Sequence, residues 1–249
     1  MTKRRSVVAT ILAGAALLAA GAAAAQADPR DPLEPINRGV DALNQRVDRA
    51  AIQPVARAYE RAVPSLVRRG ASNFFANLGD VWSAANSVLQ VKPGDAAQNF
   101  MRFAVNTTAG LAGVFDVATD IGIDRHKEDF GSTLARWGVP AGPYMVLPLM
   151  GPTTLRDAAG LPVDWAGHPL GQVSPAASRN AIAAAGAVDL RARLLPLDGA
   201  LDQAFDRYTF MRDAYLQHRD AQVRDGEAAG AADAEPVAAD GADPDIQAN

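Results

Sequence analysis

The segment Trp137–Leu155 reads WGVPAGPYMVLPLMGPTTL, nineteen residues without a charge that hold four prolines and three glycines. The chain as a whole is 21% Asp, Glu, Lys and Arg. A helix crossing a bilayer needs about 20 apolar residues whose backbone bonds close within the segment. Each internal proline removes one of those donors and clashes with the preceding turn. The segment is therefore not a straight spanning helix, and two readings remain: a buried irregular connection in a soluble core, or a kinked apolar loop held against lipid.

Outside this stretch the chain reads as helix. Hydrophobic residues make up 49% of its 249 residues but aromatic residues only 6%, and Ala, Leu and Val dominate while β-branched runs are scarce. The expected fold is all-α, in one main domain. Lys3, Arg4 and Arg5, the apolar run Val7–Ala20 and the small residues of Ala25-Gln26-Ala27 have the layout of a secretory signal peptide over residues 1–27. The mature chain then begins near Asp28. No cysteine is present, which leaves no disulfide, no thiol nucleophile and no site for a lipid-modified cysteine. Residues 225–249 carry seven acids and no Lys or Arg, so 224–249 is expected to be a disordered acidic tail. The body between leader and tail balances at 21 basic against 21 acidic residues, which argues against a nucleic-acid binder.

Within the body, 28–223, proline and glycine punctuate a series of amphipathic helices. Pro29, Pro32 and Pro35 keep the chain extended until a helix opens near Ile36 and runs to Ala62. A second helix follows Pro64-Ser65, with Val67, Phe74, Leu78, Val81, Trp82, Val88 and Leu89 recurring at three- and four-residue steps. Lys92-Pro93-Gly94 breaks it, and Asp95 is the expected N-cap of a third helix whose apolar face is Phe100, Phe103, Ala104, Leu111, Val114 and Phe115. Ser132 is the expected cap of a short helix through Trp137, and Ser174-Pro175 the expected start of an Ala-rich helix to about Leu195. A last helix after Asp198 places Leu201, Phe205, Tyr208, Met211 and Tyr215 on one stripe.

The search for reaction chemistry is negative. His126, His168 and His218 lack the spacing of a zinc site, and no nucleophile elbow, Walker loop or dinucleotide fingerprint occurs. Gly-Pro-Thr-Thr at 151–154 lacks the lysine and glycine spacing of a phosphate loop and reads as a turn capping the next helix. Arg156-Asp157 reads as a surface ion pair at the edge of the apolar segment, worth under about 1 kcal/mol. No enzyme activity, cofactor or metal is expected. A set of amphipathic helices with a kinked apolar segment on an exported chain suits a protein lying in one leaflet.

Several stretches carry a resemblance: DPLEPINR at 31–38, PVARAYERAVP at 54–64, NFFANLGDVWSAANSVLQ at 73–90, FMRFAVNTTAGLAGVFDVA at 100–118, EDFGSTLARWGVPAGPYMVLPLMGPTTLRDAAG at 128–160, RARLLPLD at 191–198 and DAYLQHRD at 213–220. In order and spacing the chain resembles the MlaA/VacJ family of outer-membrane phospholipid-transport proteins. The residues of the family motifs are Asp31, Pro32, Asn37, Arg38, Phe130, Gly131, Gly142, Pro143, Gly151, Arg156 and Asp157. The resemblance implies a ring-like helical platform on the periplasmic side of the outer membrane. Through its amphipathic channel, mislocalised phospholipids would leave the outer leaflet for a soluble periplasmic carrier, which preserves lipid asymmetry. A trimeric porin would be its membrane partner. It assigns Tyr144, Met145, Val146, Leu147, Pro148, Leu149 and Met150 to the apolar hairpin and channel region. The missing cysteine departs from the lipid-modified N-terminus of many family members. The competing readings are a porin-associated structural protein that conducts no lipid, or a phospholipase.

Overall fold

A computed structural model of the chain describes residues 28–234; the expected signal peptide, 1–27, and residues 235–249 lie outside the described residues. Helix α1 spans Glu34–Val47, with Pro35 in its first turn where the missing N–H costs nothing. The single helix expected to run to Ala62 is interrupted. Asp48–Ile52 forms a π-helical turn, closed by the Gln53 N–H donating to the Asp48 carbonyl, before α2 resumes over Gln53–Ala62. Helix α3 spans Ser65–Leu89 and α4 spans Pro93–Thr108. Lys92, not Asp95, takes the cap position of α4, because Pro93 already fills the first helical position; Asp95 sits one turn in, with its carboxylate 3.5 Å from His126 Nδ1.

After the short α5, Val117–Asp120, helix α6 spans Phe130–Arg136. Its cap is Asp129 rather than Ser132: the Ser132 N–H donates to Asp129 Oδ1 at 2.7 Å, and the Asp129 N–H donates back to Ser132 Oγ at 3.1 Å. This reciprocal pair satisfies two otherwise orphaned donors, which a serine cap alone would not. Strands β1, Tyr144–Leu147, and β2, Gly151–Thr154, pair antiparallel. Helix α7 spans Leu155–Gly167, α8 spans Ala176–Leu194 with Pro175 rather than Ser174 at its cap, and α9 spans Asp198–Gln203. The last expected helix is thus split: α10 begins at Arg207, and Phe205, in the break, is wholly exposed instead of joining the stripe. Helix α10 runs to Ala234, ten residues past the start of the expected tail, carried by alanine's helix propensity. Among the described residues the fold is all-α apart from one two-stranded hairpin, in a single domain.

The packing inverts the usual rule. The inward faces of α3 and α4 are Asn77, Asp80, Ser83, Asn86 and Ser87 against Asp95, Asn99, Arg102 and Asn106, all buried. Of the apolar stripes read from the sequence, Val67, Val88, Leu89, Phe100, Leu111, Val114 and Phe115 are exposed, with Met101 beside them, whereas Phe74, Leu78, Val81, Trp82, Phe103 and Ala104 are half-buried. A polar interior survives only if it is hydrogen-bonded. Here the connection from Phe115 to Asp129 supplies the partners. Arg102 Nη2 donates to Asp116 at 2.7 Å, Asn106 Nδ2 donates to the same carboxylate at 2.9 Å, and Asn99 Nδ2 donates to the His126 carbonyl at 2.7 Å. Arg125 grips Asp80 through two bonds of 2.8 and 3.1 Å. Burial nevertheless raises the Asp80 carboxyl above the ordinary range, against the pull of Arg125 and Arg102. No helix among the described residues is long and apolar enough to cross a membrane.

Candidate functional site

The charge-free segment forms the hairpin. Gly142 enters it at φ +68°, a left-handed conformation in which a side chain would also press on Leu155, 3.1 Å from its Cβ position. Tyr144 and Val146 alternate inward and are buried, 1% and 6% exposed, whereas Met145 and Leu147 are half-buried. The loop Pro148-Leu149-Met150 is exposed, and Leu149 holds a left-handed φ of 63°. Of the seven residues assigned to the apolar site, Tyr144 and Val146 therefore belong to the core, where their alternation along the strand places them. Pro148, Leu149 and Met150 are the ones presented outward, with Leu43 of α1 also exposed. Thr153 and Thr154, read as a turn, are β2, although Thr154 does cap α7 by accepting the Asp157 N–H at 3.2 Å.

Two asparagines on α1 hold β1 as a second strand would. Asn37 Nδ2 donates to the Tyr144 carbonyl at 3.1 Å, and its Oδ1 accepts the Val146 N–H at 3.0 Å. Asn44 repeats the arrangement seven residues on, donating to the Leu147 carbonyl at 2.9 Å and accepting the Leu149 N–H at 2.7 Å. Seven residues are two helical turns, so both amides share one face of α1. Asn44 was not singled out in the sequence, though its spacing from Asn37 was the available signal.

The remaining motif residues gather into two clusters at the base of the hairpin. Asp31, fully buried, accepts from Asn37 Nδ2 at 2.8 Å and from the Tyr208 hydroxyl at 2.5 Å, with Arg212 3.5 Å away. Burial, together with the hydrogen bond to Asp31, pushes the Tyr208 phenol far above its usual value. Arg38 stacks 4.4 Å over the Tyr208 ring and donates to Asp206 at 2.6 Å, which holds that carboxyl well below the usual range. Pro32 is exposed at the chain's entry to α1 and takes no part.

The second cluster centres on Arg219 of α10, which bonds both oxygens of Asp157 at 2.9 and 3.0 Å and both of Asp129 at 2.9 and 2.7 Å. Arg156 Nε and the Tyr215 hydroxyl also donate to Asp157. Arg156-Asp157 is thus a buried network and not the surface pair expected, because α10 covers it. Gly131 is the close-approach residue: a Cβ there would stand 2.5 Å from Asp157 Oδ1 and 2.6 Å from Arg219 Nη2. Beside it, the Phe130 N–H donates to Asp164 at 2.8 Å. Tyr215 and Arg219 lie in the family-like stretch DAYLQHRD at 213–220 but are not among the motif residues named from it; nothing local to them signals a partner some 60 residues away.

Burial opposes ionisation of Asp157, but the bonds from Arg219 and Arg156 overcome it and leave the carboxyl below its ordinary value. A depressed folded value adds stability above the unfolded value of about 3.9, and that stability disappears as pH falls through the folded value. Asp157→Asn is accordingly expected to be less stable than the parent at pH 7 and to lose less on going from pH 5 to pH 2. Urea midpoints across that range test it; parallel pH curves would refute the assignment.

The comparisons decide the family. The sequence profile of the MlaA lipoprotein family matches residues 29–222. The chain belongs to the MlaA family. It is 37% identical over 201 residues to the intermembrane phospholipid transport system lipoprotein MlaA of Escherichia coli, covering 79% of this chain and 80% of that protein. The corresponding lipoprotein of Haemophilus influenzae is 34% identical over 209 residues, covering 79% and 80%. A solved structure, reported in work on the structural basis for maintenance of bacterial outer membrane lipid asymmetry, aligns with a TM-score of 0.68 at 36% identity, covering 78% of this chain and 98% of that one. In this MlaA-family chain the asparagine clamps and the Arg219 network together fix a hairpin whose tip is its most outward apolar feature.

Proposed function

We propose that the protein moves phospholipid between membranes and so maintains the lipid asymmetry of the outer membrane, resting against one leaflet through its outward apolar surface. The observation that carries this is the inversion: polar, hydrogen-bonded faces of α3 and α4 inside, apolar stripes outside. A body built this way keeps its polar groups paired inside and can offer apolar side chains to acyl chains. Family membership supports the same reading. Its finer partners, on the family resemblance, are a trimeric outer-membrane porin and a soluble periplasmic carrier, and the protein makes and breaks no covalent bond. The family is named for lipoproteins, whereas this sequence has no cysteine; membrane attachment then rests on the protein's own surface and on the porin. An unmodified polypeptide mass for the membrane-extracted chain would agree with that, and an added diacylglyceryl mass would refute it.

Lipid mass spectrometry on protein extracted from the membrane fraction in mild detergent tests the main reading. Intact diacyl phospholipid at near one per chain is expected. Lysophospholipid or free fatty acid appearing on incubation would point to hydrolysis instead, and a lipid-free protein would favour a purely structural role.

The hairpin tip makes a separate prediction. Leu149 is 66% exposed, so Leu149→Asp leaves the fold intact. If the tip enters the apolar layer, the carboxylate costs roughly 2 to 3 kcal/mol of membrane partitioning. Vesicle flotation should show that loss with an unchanged thermal midpoint; unaltered partitioning would place the tip outside the membrane.

A further inference from the structure

A cavity of about 340 Å³, within the usual size range of small-ligand pockets, lies between the end of α1, the π-turn, α2, α8, α9 and the start of α10. Four arginines line it, Arg49, Arg57, Arg191 and Arg207, against three aspartates. Their pairing is uneven. Arg191 is consumed by structure, donating to Asp48 at 2.8 and 2.9 Å and to Asp198 at 2.9 and 3.0 Å. The third aspartate, Asp202, is exposed and stands 3.8 Å from Arg207 Nη1, a distance too long for a hydrogen bond.

That leaves cationic donors unspent. Among the described residues Arg57 has no carboxylate partner and Arg49 meets only the Gln45 amide, at 3.4 Å; both are exposed at the cavity. Arg207 Nε is buried without any hydrogen-bond partner, an expensive state for a charged donor. The π-turn adds a backbone argument. An α-helix across residues 48–52 would close the ladder with ordinary bonds, yet the chain takes the rarer turn there, and it is this turn that carries Asp48 and Arg49 to the cavity wall.

The same elements expose apolar side chains away from the cavity lining: Leu43 on α1, Val55 on α2 and Leu194 on α8, with Leu197 just ahead of α9. Unspent guanidinium groups suit a phosphate, and apolar surface on the same elements suits hydrocarbon. We propose that this cavity takes the phosphate of a glycerophospholipid, with Arg49, Arg57 and Arg207 as its donors. The proposal rests on the transport reading above and gives it a headgroup site.

The test uses the mature chain in non-ionic detergent, with tail-labelled phosphatidylglycerol and the same-tailed diacylglycerol as probes and glycerol 3-phosphate as competitor. Phosphatidylglycerol should bind the parent more tightly than diacylglycerol. Arg49→Gln with Arg57→Gln should lower phosphatidylglycerol affinity roughly tenfold or more, with an unchanged thermal midpoint, since neither arginine holds an ion pair. Arg61→Gln with Arg69→Gln removes the same net charge away from the cavity and should leave binding as it was. Equal losses in both double variants, or no loss in the first, would overturn the proposal. Competition by glycerol 3-phosphate as strong as by lipid would mean a free-phosphate site and overturn the lipid assignment. If the parent binds both lipids equally and the variants do not differ, only the headgroup site falls; if it binds neither, the transport reading falls with it.

Discussion

Asn37→Ala is expected to cost about 3 to 5 kcal/mol of folding stability, far more than deletion of an ordinary surface amide. Asn37 is 3% exposed and serves three groups at once: the Asp31 carboxylate, the Tyr144 carbonyl and the Val146 N–H. Alanine restores none of these bonds and opens no path for water, so each partner pays part of a desolvation penalty of about 1 to 3 kcal/mol. Asn44 makes the equivalent bonds at the looser, half-buried end of the strand. Asn44→Ala is therefore the milder change, and its effect concentrates on the loop, where Leu149 keeps its left-handed backbone only while its N–H is held. Denaturant unfolding gives the size of each effect, and amide exchange gives its place: Val146 loses protection in the first variant, Leu149 in the second. A loss below 1 kcal/mol for Asn37→Ala would mean that the hairpin holds itself and the clamp is ornamental.

Arg219→Met is expected to be as damaging, again about 3 to 5 kcal/mol, because it takes from the buried Asp157 its two-pronged partner, leaving only Arg156 and the Tyr215 hydroxyl on that carboxylate, and removes the grip on Asp129. The side chain is 7% exposed and binds four carboxylate oxygens, tying α10 to α6 and α7. A buried pair is weak evidence of net stabilisation, and the expected loss is the cost of breaking it. The distinguishing measurement is the double variant. Asp157→Asn in the Arg219→Met background removes the under-compensated charge and should recover part of the loss, a coupling of the order of 1 to 3 kcal/mol. Strictly additive losses would show that the two groups do not act together. The close approach at Gly131 reports on the same junction, since any side chain there lands on Asp157 and Arg219.

Both predictions concern residues whose importance is unequally visible in the sequence. Asn37, Gly131, Arg156 and Asp157 stand within family motifs and could be named from them. Asn44 could have been found from the seven-residue spacing. Tyr208 and Tyr215 read as members of an apolar stripe, yet their hydroxyls reach buried aspartates, Asp31 and Asp157. Nothing in a helical pattern distinguishes a phenol packed by its ring from one placed for its hydroxyl.

The sequence by itself determined that the chain is helical, where proline and glycine break the helices, and that Trp137–Leu155 is no spanning helix. These follow from local rules: propensity, the proline's missing donor and the spacing of apolar residues. Its motifs also determined the family. Only the tertiary structure decided which side of each helix faces in. Periodicity marks two faces of α3 and α4 but carries no sign, and the buried faces are the polar ones because the connection from Phe115 to Asp129 delivers the hydrogen-bond partners they need. The same limit applies to the charges. Whether Arg156-Asp157 is a solvated pair or a buried network, and whether Arg49 and Arg57 are spent or free, depends on what residues far along the chain bring to them. Burial sets the strength of a charge, and burial is a property of the assembled fold.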